Sequence, residues 1–274
     1  MTTVENKLYV YTPSDDTWDE VDTPVFKFAL TTFHSHLVLV GGLKSVPVLH
    51  EAVVLPSNTL WNLPSNDVGG ASYWEGEFPP MPTSRYSASA VGLQDHLIVA
   101  GGVGDHWLDA VEVYDSCLNI WSSAQPLPKT SYNMKSAIHD GCWYLMGGDL
   151  QGKELFYTSL DALVHHSDAP QNTSIWVSTF NGPHMHSSLV VFGNQLMSVG
   201  GEDAESSIYA YQQKDQSWHF KGIMPTDVQN ACTATLLTGE LVLIGGTYED
   251  GTSSSQTFTA TLQGMHTSSR SQHP

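Results

Sequence analysis

At 274 residues the chain has room for one large all-β domain or two small ones. Its 10 Lys and Arg against 28 Asp and Glu give a formal charge of −18, which repels phosphate backbones and anionic lipid surfaces and draws a basic protein partner. No stretch approaches ~20 uninterrupted apolar residues, the opening MTTVENKLYV lacks a signal-peptide layout, and Cys117, Cys142 and Cys232 have neither disulfide-framework nor zinc spacing. A reducing, cytoplasmic setting with no nucleic acid and no membrane is therefore expected.

Residues 7–20 (KLYVYTPSDDTWDE) read as two short strands around a Pro/Ser/Asp turn, the second half of a unit without its first. The first full unit spans about 25–62: FKFALTTF and HLVLVGG make a hairpin, and EAVVLPSNTLW supplies two further strands. The second, 84–123, runs from SASAV through HLIVAGG and AVEVY to Trp121. The third, 130–178, turns at Asp140-Gly141 and carries the insertion LDALVHHSDAPQNT, a short helix or an outer loop. The fourth, 184–220, turns at Gly193-Asn194, and the fifth, 228–262, at Thr238-Gly239-Glu240. Residues 263–274 are polar and read as a disordered tail.

One device ties these units together. An apolar run ends in a glycine pair at Gly42, Gly102, Gly148, Gly201 and Gly246. Downstream, an aromatic is followed seven positions later by Trp: Tyr11/Trp18, Tyr114/Trp121 and Tyr211/Trp218, with Val54 replacing the aromatic before Trp61 and a stretched copy in Tyr157…Trp176. The fifth unit has no such Trp after TFTATL. Recurrence every ~45–60 residues marks a repeat architecture. A lone four-stranded antiparallel sheet cannot bury both faces, so sheets of strands a to d must stack, and radial stacking gives a β-propeller. Glycine at the end of strand b allows a left-handed backbone and close approach, and the Trp packs between sheets. One domain over 1–262 is the expectation.

The glycine pairs, the aromatic-x6-Trp spacing and the Pro-rich links Phe78-Pro79-Pro80-Met81-Pro82 and Gln125-Pro126-Leu127-Pro128 resemble Kelch repeats over nearly the whole chain. Kelch propellers commonly have six blades and close by pairing strands from opposite termini. Five units plus an N-terminal half leave two readings: a six-bladed plan with one blade incomplete, or a closed five-bladed ring with 7–20 completing the fifth sheet. The resemblance implies a non-catalytic protein-interaction scaffold without a cofactor, similar to the propellers of ubiquitin-ligase adaptors and of cytoskeletal or signalling proteins. The adaptor role needs a BTB or F-box-type module, for which this chain has no room. The alternative is a propeller enzyme that depends on a metal or acts on carbohydrate.

Catalytic signals are sparse. His34-x-His36 and His184-x-His186 would each put two imidazoles on one face of an extended strand, the start of a metal site, but no third ligand stands in register. His165-His166 lies in the polar insertion, and Ser65-x-Asp67-x-Gly69 before Trp74 echoes a single sialidase Asp-box with its aromatic two positions late. Copper-oxidase propellers need a Tyr–Cys link in an exported chain, and the E-x3-D-x3-H pattern of iron-binding Kelch specifiers is absent. No metal and no catalytic residue is assigned.

If strand b ends at the glycine pair, the loop after it shares a face with the link into the next strand a. That face gathers 43–50, 103–109, 149–154, 202–206 and 247–255. The partner-binding candidates there are Trp74, Arg85, Tyr86, Asp105, His106, Trp107, Tyr132, Asn133, His184, His186, Glu202, Asp203, Tyr248 and Glu249, with Asp250 and Glu205 adding acid. Aromatic and Arg anchors in an acidic surround fit a partner with a basic or basic-aromatic segment.

Overall fold

The computed structural model describes residues 7–12, 14–15, 17–48, 51–64, 74–76, 78–148, 154–165, 174–179, 182–202, 207–261 and 264–270. They fall into two compact units, Met1–Asn133 with Asp161–Ser174, and Met134–Leu160 with Ile175–Pro274.

The first unit opens with a hairpin of β1 (Lys7–Thr12) and β2 (Thr17–Asp22). A three-stranded antiparallel sheet follows, with β4 (His36–Val40) central between β3 (Ala29–Phe33) and β7 (Leu60–Pro64). A separate hairpin, β5 (Leu43–Val48) with β6 (Glu51–Pro56), branches from it. The next sheet is a regular four-stranded meander of β8 (Ser89–Leu93), β9 (His96–Ala100), β10 (Val111–Asp115) and β11 (Ile120–Ser123).

The second unit has three such meanders. They comprise β12 (Lys135–His139), β13 (Cys142–Met146), β14 (Leu155–Ser159) and β15 (Val177–Thr179); β16 (Ser188–Phe192), β17 (Gln195–Val199), β18 (Ser207–Gln212) and β19 (Ser217–Ile223); and β20 (Cys232–Thr235), β21 (Leu241–Ile244), β22 (Thr257–Thr261) and β23 (Gly264–Arg270). The helix α1 (Leu160–Val164) follows β14 directly, so the inserted segment does start as a short helix.

Three features differ from the sequence expectation. EAVVLP does not form strand c of the first sheet: it pairs with β5, and LWNLP takes the place beside β4. Val54 therefore faces Ser45 and Trp61 faces Leu39, so these two are not a repeat pair. The physical reason is that Leu43–Val48, placed in a loop by position alone, sets β-branched Val46 opposite β-branched Val53 and so pairs with β6 as its own hairpin. Second, Gly264–Arg270 is a strand rather than a disordered tail, and it supplies the fourth place beside β22. Residues 7–20 pair with each other, and the sheets that carry a glycine pair number five, the count of the five-bladed alternative. Third, Tyr157 faces Val177, one residue beyond Trp176, because the insertion shifts the register. Trp176 packs instead on Trp143, centroids 6.4 Å apart.

The central strands are buried on both faces, and strand alternation decides which side chain goes where. In the first unit, Val38 and Val40 of β4 meet Leu97 and Val99 of β9 in one cluster with Phe33, Met81 and Tyr114. In the second, Tyr144 and Met146 of β13 meet Leu196 and Tyr211, and Met197 and Val199 of β17 meet Leu241 and Leu243. Each buried aliphatic side chain contributes about 1.5–3 kcal/mol. The aromatic-x6-Trp spacing is cross-strand pairing across a hairpin, since Tyr114 lies opposite Trp121 and Tyr211 opposite Trp218. Their ring centroids are 5.3 and 5.2 Å apart. The Trp121 indole N–H donates to the Pro79 carbonyl at 2.9 Å, which ties the sheet to the Pro-rich link.

The glycine pair is where sheets meet backbone to backbone. Gly102 has φ 97°, and a Cβ there would lie 2.8 Å from the carbonyl oxygen of Tyr86. At Gly41, with φ 64°, it would lie 2.3 Å from that of Arg85. A side chain is excluded at both positions by strain and by space. The neighbouring Gly42 amide donates to the Arg85 carbonyl at 2.9 Å.

Candidate functional site

A second repeated device precedes each strand a. Lys27, Ser87, Asn133, His186 and Asn230 all have φ between 51° and 58°. Within the first unit the Ser87 amide donates to the Lys27 carbonyl at 2.8 Å, and the Asn133 amide to that of Ser87 at 2.7 Å. Within the second, the Asn230 amide donates to the His186 carbonyl at 2.8 Å. Within each unit the left-handed residue of one repeat thus accepts a hydrogen bond from its counterpart in the next. This fixes the residues before it, among them the candidate anchors Tyr86 and Tyr132.

In the first unit those anchors form a ladder. Tyr86 and Val103 exchange hydrogen bonds of 2.9 and 2.8 Å, and Val103 also bridges to Trp107. The Gly104 amide donates to the His106 carbonyl at 2.9 Å, and those of Leu108 and Ser131 bond to Gly102 and Leu108 at 2.9 and 3.0 Å. The loop 103–109 is thus pinned at both ends. On it, Asp105, His106 and Trp107 are exposed, and Trp107 keeps 45% of its surface open. Its ring lies 5.2 Å from that of half-buried Tyr132, and exposed Asn133 follows. The Lys27 ammonium sits 5.8 Å from the Tyr86 ring centre, within cation–π reach. Trp74 has another partner: its indole N–H donates to the Asp22 carbonyl at 2.7 Å.

Arg85 is a correction. The sequence places it among the surface anchors, yet its side chain is fully buried. Nη2 lies 2.8 Å from Glu112 Oε2, and Nη1 donates to the carbonyls of Gly101 and Ala110 at 2.8 and 2.9 Å. Thr83 donates its hydroxyl to Glu112 Oε1 at 2.6 Å. Burial pushes the guanidinium below its ordinary value, and the Glu112 carboxylate opposes this. Arg85 clamps the end of β9 and the start of β10, and no partner can reach it.

In the second unit, His186 Nδ1 lies 2.7 Å from Glu202 Oε1, both groups accessible. His184 is half-buried with its ring 5.3 Å from that of Tyr209. Because His186 has a left-handed backbone, the strand alternation that would align the two imidazoles does not exist, and the metal reading of His184-x-His186 fails. His34 is left-handed as well, stacked on Phe33 with centroids 4.2 Å apart. Among the described residues no group of three His, Cys, Asp or Glu side chains has metal-holding geometry. Tyr248 is half-buried against the cluster of β21 and β22, its hydroxyl donating to Ser254 Oγ at 3.2 Å. Glu249 and Asp250 beside it are exposed, and two Thr252 donors, the hydroxyl first, hold the Asp250 carboxyl below the usual carboxylate range. Asp203, Glu205 and the stretch 65–69 lie outside the described residues.

Glu112 is the residue that sequence reasoning missed. Its signal was present: an acid within the apolar run AVEVY requires a buried cation, and Arg85 is that cation. Among the described residues no helix is long and apolar enough to cross a membrane.

Known proteins give the same picture. Residues 84–128 match the Kelch motif. Kelch-like protein 38 of Homo sapiens is 26% identical over 229 residues, covering 79% of this chain and 36% of that protein. The Mus musculus protein of that name is 24% identical over 229 residues, covering 80% of this chain and 36% of its own. Kelch-like protein 35 of Mus musculus is 29% identical over 182 residues, 65% of this chain and 30% of that one. The chain spans about a third of the length of these curated relatives. The solved structure of YjhT matches with a TM-score of 0.74 over 97% of this chain and 91% of that one, at 12% identity, a likeness of fold alone. With the recurring glycine pairs and four-stranded antiparallel sheets, these matches show that the chain carries a Kelch motif, is similar to Kelch-like proteins and has the β-propeller fold.

Proposed function

We propose that the chain is a non-catalytic protein-interaction scaffold, and that its repeats act as one domain. The partner surface is the loop that follows the second glycine pair, together with the residues leading into the neighbouring strands. The observation that carries this reading is Trp107, which keeps 45% of its area exposed although its loop is pinned by backbone hydrogen bonds. A pre-ordered aromatic loses little entropy on binding, so it makes an efficient anchor. Tyr86, Tyr132, Asn133, Asp105 and His106 surround it, and the chain's charge of −18 favours a partner segment that combines basic and aromatic residues. In the second unit, the loops with Glu202, Tyr248 and Glu249 offer acid of the same kind, beside His184 and His186. Trp74 serves the same role from its tether on Asp22. Kelch-like relatives support protein binding in general; an association with a ubiquitin ligase, the cytoskeleton or signalling rests on family likeness.

The test is capture of partners on immobilised protein, identified by mass spectrometry, followed by titration of the basic segment of any partner found. Trp107→Ala and Asp105→Lys should each weaken that titration at least tenfold, and added salt should weaken it further. Unchanged affinity in both variants would show the surface to be misplaced.

A further inference from the structure

Each interface between successive glycine-pair sheets within a unit has the same position to fill, and one of them is left unfilled. In the first unit Leu97 stands opposite Tyr114, and the Tyr114–Trp121 pair closes the gap toward the preceding sheet. In the second unit Leu196 and Tyr211 share a cluster that Trp218 covers. At the last interface the equivalent leucine, Leu241, stands opposite Ala260, and the following strand, GMHTSSR, contains no Trp. Both rings of the repeat are missing at one place. A cleft of about 170 Å³ opens there, walled by Val199, Ile208, Leu241, Leu243, Phe258 and Ala260. Ile223 stands at its rim with 51% of its surface exposed. Among the described residues the polar side chains on the wall are the hydroxyls of Thr226 and Thr259, and no ionisable group lines it.

We propose that this cleft is a binding site for a small uncharged planar aromatic molecule of about indole size, which takes the place that a Tyr–Trp pair occupies in the β8–β11 and β16–β19 sheets. The size agrees, since dry cavities of about 150 Å³ with aliphatic and phenyl walls take up benzene. The chemistry agrees as well: the same strand positions elsewhere accept phenol and indole rings on leucine and valine. Burial of a flat ring against such a wall is favourable without any polar anchor, whereas a charged ligand would be desolvated with nothing to pair it. The site is independent of the loop surface around Trp107.

The probe is indole, titrated into the whole purified chain and followed by calorimetry and by methyl NMR. Saturable binding is expected, with shifts at Leu241, Leu243 and Val199. Ala260→Tyr restores the missing ring; it should weaken indole at least tenfold and raise the melting temperature. Ile223→Glu puts a charge at the rim, leaves the fold intact and should weaken indole to a similar extent, while Trp107→Ala leaves it unchanged. No saturable binding up to the solubility limit of indole would overturn the proposal, as would unchanged affinity in Ile223→Glu together with any folded Ala260→Tyr protein.

Discussion

Arg85 Nη2 meets Glu112 Oε2 at 2.8 Å with both side chains sealed from water, so the one cation among the sequence-derived anchors belongs to the interior. A buried pair is costly to break, because the survivor is left desolvated and unpaired. Arg85→Ala and Glu112→Ala should each destabilise by about 3–5 kcal/mol in a chemical melt. Replacing both, as Arg85→Met with Glu112→Leu, should recover most of that loss. Additive losses in the double variant would contradict the pairing.

Trp121 joins two elements, stacking on Tyr114 and donating to Pro79. Trp121→Ala should cost about 3 kcal/mol, the low end for a large aromatic because its surface is only partly buried. A loss under about 1 kcal/mol would mean that the indole is not closing the interface.

Two glycines with positive φ separate strain from space. Gly102→Ala must adopt φ 97° and would press a methyl to 2.8 Å from the Tyr86 oxygen, so it should cost more than about 3 kcal/mol. Gly141→Ala, with φ 71° and nothing within 4 Å, should cost only about 1 kcal/mol. Equal losses measured by urea unfolding would remove the steric part of the account.

Tyr211 is pushed up from 10.0 to about 12, first by burial and then by the neighbouring Tyr157 charge. The folded state therefore holds its proton more tightly than the unfolded chain. Its contribution to stability is fully present below pH 10 and is lost as pH rises through about 12. Urea midpoints measured at increasing alkaline pH should fall across that window, and Tyr211→Phe should flatten the fall. A midpoint unaffected by Tyr211→Phe would assign the transition to another group.

Local chemistry was readable in the chain. The glycine pairs mark the ends of the central strands because only glycine fits a left-handed backbone pressed against a neighbouring carbonyl. The Tyr-x6-Trp spacing marks hairpins because that separation brings the two residues opposite each other. Apolar runs such as LIVA report strands buried on both faces. What depended on distant partners was not readable. Arg85 looked like a surface anchor until Glu112, on a strand beyond the turn, was brought to it. The strands β5 and β6 pair with each other and leave the place beside β4 to β7, a choice that rests on which strands meet in space. Gly264–Arg270 became a strand because the edge of β22 offered unpaired backbone groups, which hold even a polar sequence. The cleft at Ala260 could be anticipated from a missing tryptophan, but its walls were decided by packing, which brings Val199 and Ile208 of one sheet against Leu241, Phe258 and Ala260 of the next.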